Sequence, residues 1–123
     1  MSFITERGRS FRYAFAGIAH AFCTQPNLRI HSIAAVIAIA SGVFLRINSV
    51  EWIFIIAAIG IVFTTEIINT TIEELVDLVS PERQKKAGVI KDLAAGAVMI
   101  AAIMALIIGC VIFIPKIFLI FVT

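Results

Sequence analysis

The sequence predicts an all-α integral membrane protein, with an N-terminal amphipathic surface helix followed by three transmembrane helices. Three observations carry this prediction. Of the 123 residues, 61% are hydrophobic and 15% charged, against about 45–50% and about 25% in soluble domains. The apolar residues gather into three long runs of the kind that cross a bilayer. The basic residues sit almost entirely on one side of those runs. Arg7, Arg9, Arg12 and Arg29 precede the first run, and Arg83, Lys85, Lys86 and Lys91 lie between the second and third. Only Arg46 and Lys116 fall on the other side. Basic residues collect in cytoplasmic loops, so the N-terminus and second loop are expected in the cytoplasm.

A chain of this length is read as one domain, 1–123. It is too small to enclose a large site alone, so a site shared between identical subunits is plausible. The N-terminus lacks the apolar core and small-residue cleavage site of a signal peptide. The first segment, 1–29, is assigned to the surface helix, with 3–23 helical. Ile4, Phe11, Phe15, Ile18 and Phe22 fall on one stripe, while Arg9 and His20 face away. Such a helix lies in the membrane interface, and Pro26 is expected to end it.

The first span covers 30–45, and Arg46 to Ser49 make the outer turn. The second covers 50–79, with Trp52 at the interface, where an indole sits well. Its length of roughly 45 Å exceeds a hydrocarbon core of about 30 Å, so its last turns emerge into the cytoplasm. Ser80, Pro81 and Glu82 break it. The third span covers 91–114, and Pro115 and Lys116 mark its outer end. Ala97, Ala101, Ala105 and Gly109 form a small-residue ladder on this span, as do Ala34, Ala38 and Gly42 on the first; such ladders let helices approach closely. Cys23 and Cys110 are far apart and read as small apolar residues, with no metal-ligand spacing.

The chemistry lies at the end of the second span. Glu66, Asn69, Glu73 and Asp77 fall within roughly 60° of one another on a helix. Carboxylates in or beside hydrocarbon cost several kcal/mol each unless paired, protonated or bound to a cation. Glu66 is roughly 24 Å down the axis from Val50, near the inner boundary, and Glu73 and Asp77 lie further toward water. Antiparallel packing of the third span brings Lys91 and Asp92 to a similar depth. Glu73 and Asp77 are hard oxygen donors suited to Mg²⁺, and Lys91 is a point charge suited to phosphate. Glu66 is placed to accept a proton from a lipid hydroxyl, with Asn69 one turn on to orient it. Glu74 and Glu82 read as helix-end charges, and His20 and His31 as interfacial polar groups. From periodicity alone, this is a functional membrane site of undefined reaction.

The stripe of Glu66, Asn69, Glu73 and Asp77, followed by Lys91, Asp92 and the small residues Ala94 to Ala97, resembles the prokaryotic diacylglycerol kinase family, which includes undecaprenol kinases. The resemblance runs from about Ser10 to Phe113 and includes Tyr13 to Gly17 and Asn27 to His31. It implies a homotrimeric bundle with shared sites in the bacterial inner (cytoplasmic) membrane, its active site on the cytoplasmic side. The implied reaction transfers the γ-phosphoryl group of ATP, with Mg²⁺, to the hydroxyl of diacylglycerol or undecaprenol. No P-loop is present, as is usual for this family. By matching motif, Glu66 resembles the general base and Asn69 its neighbour, Glu73 a metal ligand, and Lys91 the phosphate contact. Asp77 and Asp92 match positions on the nucleotide side. One departure matters: Gln25 stands where the family usually has a second metal-ligating glutamate, so an uncharged amide oxygen replaces a carboxylate. A cation- or proton-coupled transporter and a non-catalytic family member are the competing expectations. The inner-boundary depth of Glu66 argues against the transporter, and Gln25 is the support for the non-catalytic member.

Overall fold

Four α-helices account for nearly all of the chain in the computed structural model, which describes residues 2–123. They are α1 (Phe3–Thr24), α2 (Pro26–Phe44), α3 (Ser49–Val79) and α4 (Lys85–Val122). Met1, which opens the predicted surface segment, lies outside the described residues. The last three helices are each long and apolar enough to cross a membrane. Most of their large side chains remain exposed, Ile53, Ile100 and Leu106 among them. Exposed apolar surface on this scale belongs in hydrocarbon, where helices also satisfy every backbone polar group internally.

Pro26 was expected to end the first helix, with the span starting at residue 30. It does both jobs: α1 stops at Thr24, and α2 begins on Pro26 itself. Gln25 is extended, at φ −107° and ψ 109°, as the residue before a proline prefers. Proline then fits the first helical position, where its missing N–H costs nothing. Arg29 fixes the elbow. Its Nε donates to the Phe22 carbonyl at 3.0 Å and its Nη2 to the Cys23 carbonyl at 2.6 Å. These carbonyls lie in the last turn of α1, where unpaired oxygens and the negative end of the helix dipole favour a cation.

The turn from α2 to α3 is equally specific. The Ile47 amide donates to Gly42 O at 3.1 Å and the Arg46 amide to Val43 O at 3.3 Å, the paired bonds of a Schellman ending. Arg46 takes the left-handed position, φ 51°, which costs a side-chain-bearing residue roughly 1–2 kcal/mol. Glycine avoids that cost. Arg46→Gly is therefore expected to stabilise the protein by about 1 kcal/mol, read as a raised thermal midpoint in detergent. A lowered midpoint would mean that the arginine side chain contributes more than its backbone strain costs. Asn48 and Glu51 form a reciprocal capping box at the start of α3, with bonds of 3.0 and 2.9 Å. Trp52, read from sequence as an interfacial indole, packs its ring tip over Gly42; a Cβ there would lie 2.8 Å from Cη2.

Helices α3 and α4 form the most extensive contact, as an antiparallel pair. Ion pairs tie both ends: Lys91 to Asp77 at one, and Lys116 to Glu51 at 3.3 Å at the other. Ile47, Ile55 and Ile112 form a core beneath the outer turn, with Trp52, Ile108 and Phe113 against it. The third span was expected to cover 91–114, ending at Pro115. Instead, α4 runs through Pro115 to Val122. Lys116 follows the proline directly, but Ile114 precedes it and Ile117 to Val122 beyond are apolar, and apolar segments at a membrane keep their backbone hydrogen bonds within the helix. One lost hydrogen bond is then cheaper than unwinding. α2 barely touches α4, which leaves an apolar groove of about 490 Å³ between α2, α3 and α4.

Candidate active site

The polar stripe on α3 is where the fold buries polarity. Glu66, Asn69 and Thr70 are the buried polar residues among those described. Glu66 is 2% exposed. Glu66, Asn69, Glu73 and Asp77 sit three or four residues apart, so each stands one turn beyond the last on the same face. Thr70 satisfies itself by donating from Oγ1 to the Glu66 carbonyl at 2.9 Å. The carboxylate of Glu66 has no such relief: its Oε1 is buried and has no hydrogen bond. Nε2 of His31, from α2, lies 3.1 Å from that oxygen.

Asn69 was expected to orient Glu66. Its Nδ2 instead donates to Glu73 Oε1 at 3.1 Å, leaving its own Oδ1 buried and without a partner. The i,i+4 step from 69 to 73 stacks the two side chains directly, and a carboxylate is the stronger acceptor. Lys91, on α4, is paired with Asp77 across the α3–α4 contact. Asp92 is exposed and makes no hydrogen bond or ion pair with the described residues. Gln25, at the α1–α2 elbow, is half-buried, and its side chain caps neither helix. Within one chain, then, Glu66, Asn69 and Glu73 form one group and Lys91 and Asp77 another, while Gln25 and Asp92 bond to neither.

Geometry of this kind suits a proton acceptor beside a phosphate site, and the comparison with known sequences decides the family. The model of the family described as prokaryotic diacylglycerol kinase matches residues 12–113. The chain belongs to that family. Among prokaryotic diacylglycerol kinases and their relatives, it is 38% identical to the undecaprenol kinase of Bacillus subtilis (strain 168) over 108 residues, covering 88% of each chain. It is 39% identical to a diacylglycerol kinase of Synechocystis over 107 residues, covering 86% of this chain but 61% of that longer protein. To the diacylglycerol kinase of Escherichia coli (strain K12) it is 28% identical over 99 residues, covering 80% of this chain and 81% of the relative. The protein is a lipid kinase, and the transporter reading finds no support.

Mg²⁺ travels with ATP in such a reaction, and the donor set can be tested against it. Among the described residues, no three His, Cys, Asp or Glu side chains gather to hold a metal unaided. Mg²⁺ does not need three; it is held by one or two carboxylates together with substrate phosphates and water. Glu73 would offer one carboxylate. The unpartnered Asn69 Oδ1 beside it is a hard oxygen with nothing else to bind, so the residues present fit the ion.

Three contacts were not read from sequence. His31 reads from sequence as an interfacial group, yet it faces Glu66. His20, which the sequence reads as an interfacial group, meets Oε1 of the helix-end charge Glu74 through its Nε2 at 2.7 Å and ties α1 to α3. Arg29 enters the sequence reading through its charge and the Asn27–His31 segment, and the structure adds that it holds the elbow. Each pairs residues on different helices. The signal available beforehand was that each polar residue sits on a mainly apolar segment.

Proposed function

We propose that the chain transfers the γ-phosphoryl group of ATP to the hydroxyl of a membrane lipid at the cytoplasmic face of the bacterial inner membrane. The observation that carries this reading is the Glu66 carboxylate, buried and unsatisfied beside His31, which lines one end of an apolar groove. The groove suits a lipid tail, and its end brings a hydroxyl to the carboxylate. Glu66 takes the hydroxyl proton as the oxygen attacks the γ-phosphorus. The bond from that phosphorus to ADP breaks, and ADP leaves with the electron pair. Lys91 exchanges Asp77 for phosphate oxygens, and Asp77 and Asp92 face the nucleotide. Mg²⁺ bound with ATP would supply positive charge to the transferring phosphate. Glu73 and Asn69 would hold it, with Gln25 offering a neutral oxygen. Positioning and fixed charge supply most of the rate, as is usual in phosphoryl transfer.

The acceptor is diacylglycerol or undecaprenol, and correspondence over 88% of both chains with an undecaprenol kinase favours the latter. Eight of the ten basic residues on one side of the spans support a cytoplasmic site. A homotrimer with shared sites, implied by the resemblance, completes the proposal. Gln25 and Asp92 bond to no other site residue within one chain, and sharing between subunits would give them partners.

The test incubates purified protein in mixed micelles with Mg²⁺, labelled ATP and either diacylglycerol or undecaprenol. Label is expected in lipid phosphate, and more of it with undecaprenol. No label in either lipid would refute the reading. In the same assay, Gln25→Glu restores a carboxylate and is expected to lower half-saturating Mg²⁺ on the order of tenfold, because ligand charge sets affinity for hard cations. An unchanged Mg²⁺ requirement would remove Gln25 from the metal's surroundings.

A further inference from the structure

The buried Oε1 of Glu66 has no hydrogen bond, and a carboxylate oxygen enclosed that way costs several kcal/mol unless a donor faces it. The side chains near it on its own helix are committed elsewhere. Asn69 donates to Glu73, and the Thr70 hydroxyl donates to the Glu66 backbone carbonyl. What remains is Nε2 of His31, 3.1 Å away on α2. Distance is satisfied there and alignment is not, a common state of catalytic hydrogen bonds before substrate binds. His31 also lines one end of the apolar groove, whose other walls are residues such as Ala38, Ile59, Ala105 and Phe113, with Ser41 as a further polar group. The same imidazole therefore touches both the carboxylate and the space a lipid would fill.

We propose that His31 is the positioning residue for Glu66. With its proton on Nε2, it donates to Glu66 Oε1 and turns the carboxylate so that Oε2 faces the lipid hydroxyl in the groove. It exchanges no proton with the lipid and acts through Glu66. The hydroxyl O–H bond breaks to Glu66 Oε2, the oxygen–phosphorus bond forms, and ADP leaves. His31 keeps its own proton throughout. Its placement depends on where α2 begins, which Pro26 and the Arg29 elbow set. The proposal rests on Glu66 being the base, and the experiment separates the two.

Wild type, His31→Leu, His31→Gln and Glu66→Gln are assayed as the full chain in mixed micelles with Mg²⁺, ATP and undecaprenol or diacylglycerol, alongside thermal midpoints. Leucine keeps the groove apolar and removes the donor; glutamine returns an amide N–H near the position of Nε2. His31→Leu is expected to lower kcat at saturating lipid by about tenfold or more, with the KM for ATP unchanged. His31→Gln is expected to recover most of that loss. A His31→Leu variant within about twofold of wild-type kcat, one altered only in lipid KM, or a folded His31→Gln variant that recovers nothing would overturn the proposal. If His31→Leu does not fold, His31→Gln is compared with His31→Asn, whose amide reaches only the position of Nδ1. Glutamine is then expected to be the more active by about tenfold, and equal activity would overturn the proposal. A fully active Glu66→Gln enzyme would instead remove the base, and His31's role with it. An inactive Glu66→Gln enzyme beside a fully active His31→Leu enzyme would overturn the role of His31 alone.

Discussion

Glu66→Gln is expected to lower kcat for lipid phosphorylation by about 10²–10⁴-fold, the range over which a positioned general base contributes. Glutamine has nearly the volume of glutamate and keeps an oxygen, so the packing of α3 against α2 and α4 should survive. Removing the carboxylate also removes a buried charge, so the thermal midpoint should hold or rise. ATP binding should be unaltered, since Lys91 and Asp77, the residues proposed to face phosphate, lie further along the pair of helices. Steady-state kinetics in micelles, with ATP titrated at saturating lipid, separate the two effects. A kcat within about twofold of wild type would show that another group, or water, takes the hydroxyl proton.

Lys91→Met should lower kcat/KM for ATP by about 10²–10³-fold, the cost of losing one aimed charge at a reacting centre. Its effect on stability should be small. The Lys91–Asp77 pair is largely solvated, with side chains 35% and 66% exposed, and exposed ion pairs contribute about 0–1 kcal/mol. A large kinetic loss without a fall in thermal midpoint therefore cannot be blamed on lost folding stability. Asp77→Asn is the companion variant. It releases Lys91 from its resting partner without removing the cation, so its effect on kcat/KM should be well below that of Lys91→Met. Equal losses would mean that the ion pair itself, rather than a lysine contact to phosphate, is what activity requires.

How far the sequence could be read varies along the chain. α3 was legible nearly to the residue. The run read as 50–79 is a helix over Ser49–Val79, and Ser80 and Pro81 stop it. The two other prolines misled in opposite ways. Pro26 looked like a terminator and is also a helix start, because proline is penalised inside a helix and not at its first turn. Pro115 looked like a terminator and is an interior residue, because one lost hydrogen bond is cheaper than unwinding the apolar stretch beyond it. In both cases the residue's local preference was known, and its surroundings chose among the allowed outcomes.

The candidate site divides along the same line. Membership of one helix face follows from a fixed helical period, so the stripe of Glu66, Asn69, Glu73 and Asp77 could be drawn without coordinates. Hydropathy is likewise a property of each segment, which is why the membrane class and the three long apolar helices were determined by the sequence alone. The partner of each polar group was not. Asn69 bonds Glu73 rather than Glu66, His31 comes from α2 to the Glu66 carboxylate, and Lys91 meets Asp77 across two helices. Those outcomes depend on the rotation and depth of one helix against another. These are set by packing at places such as Gly42 under Trp52 and the Arg29 elbow. The sequence determined which groups are chemically able to act; only the tertiary structure decided which of them face each other, because no single helix's periodicity specifies its neighbour's orientation.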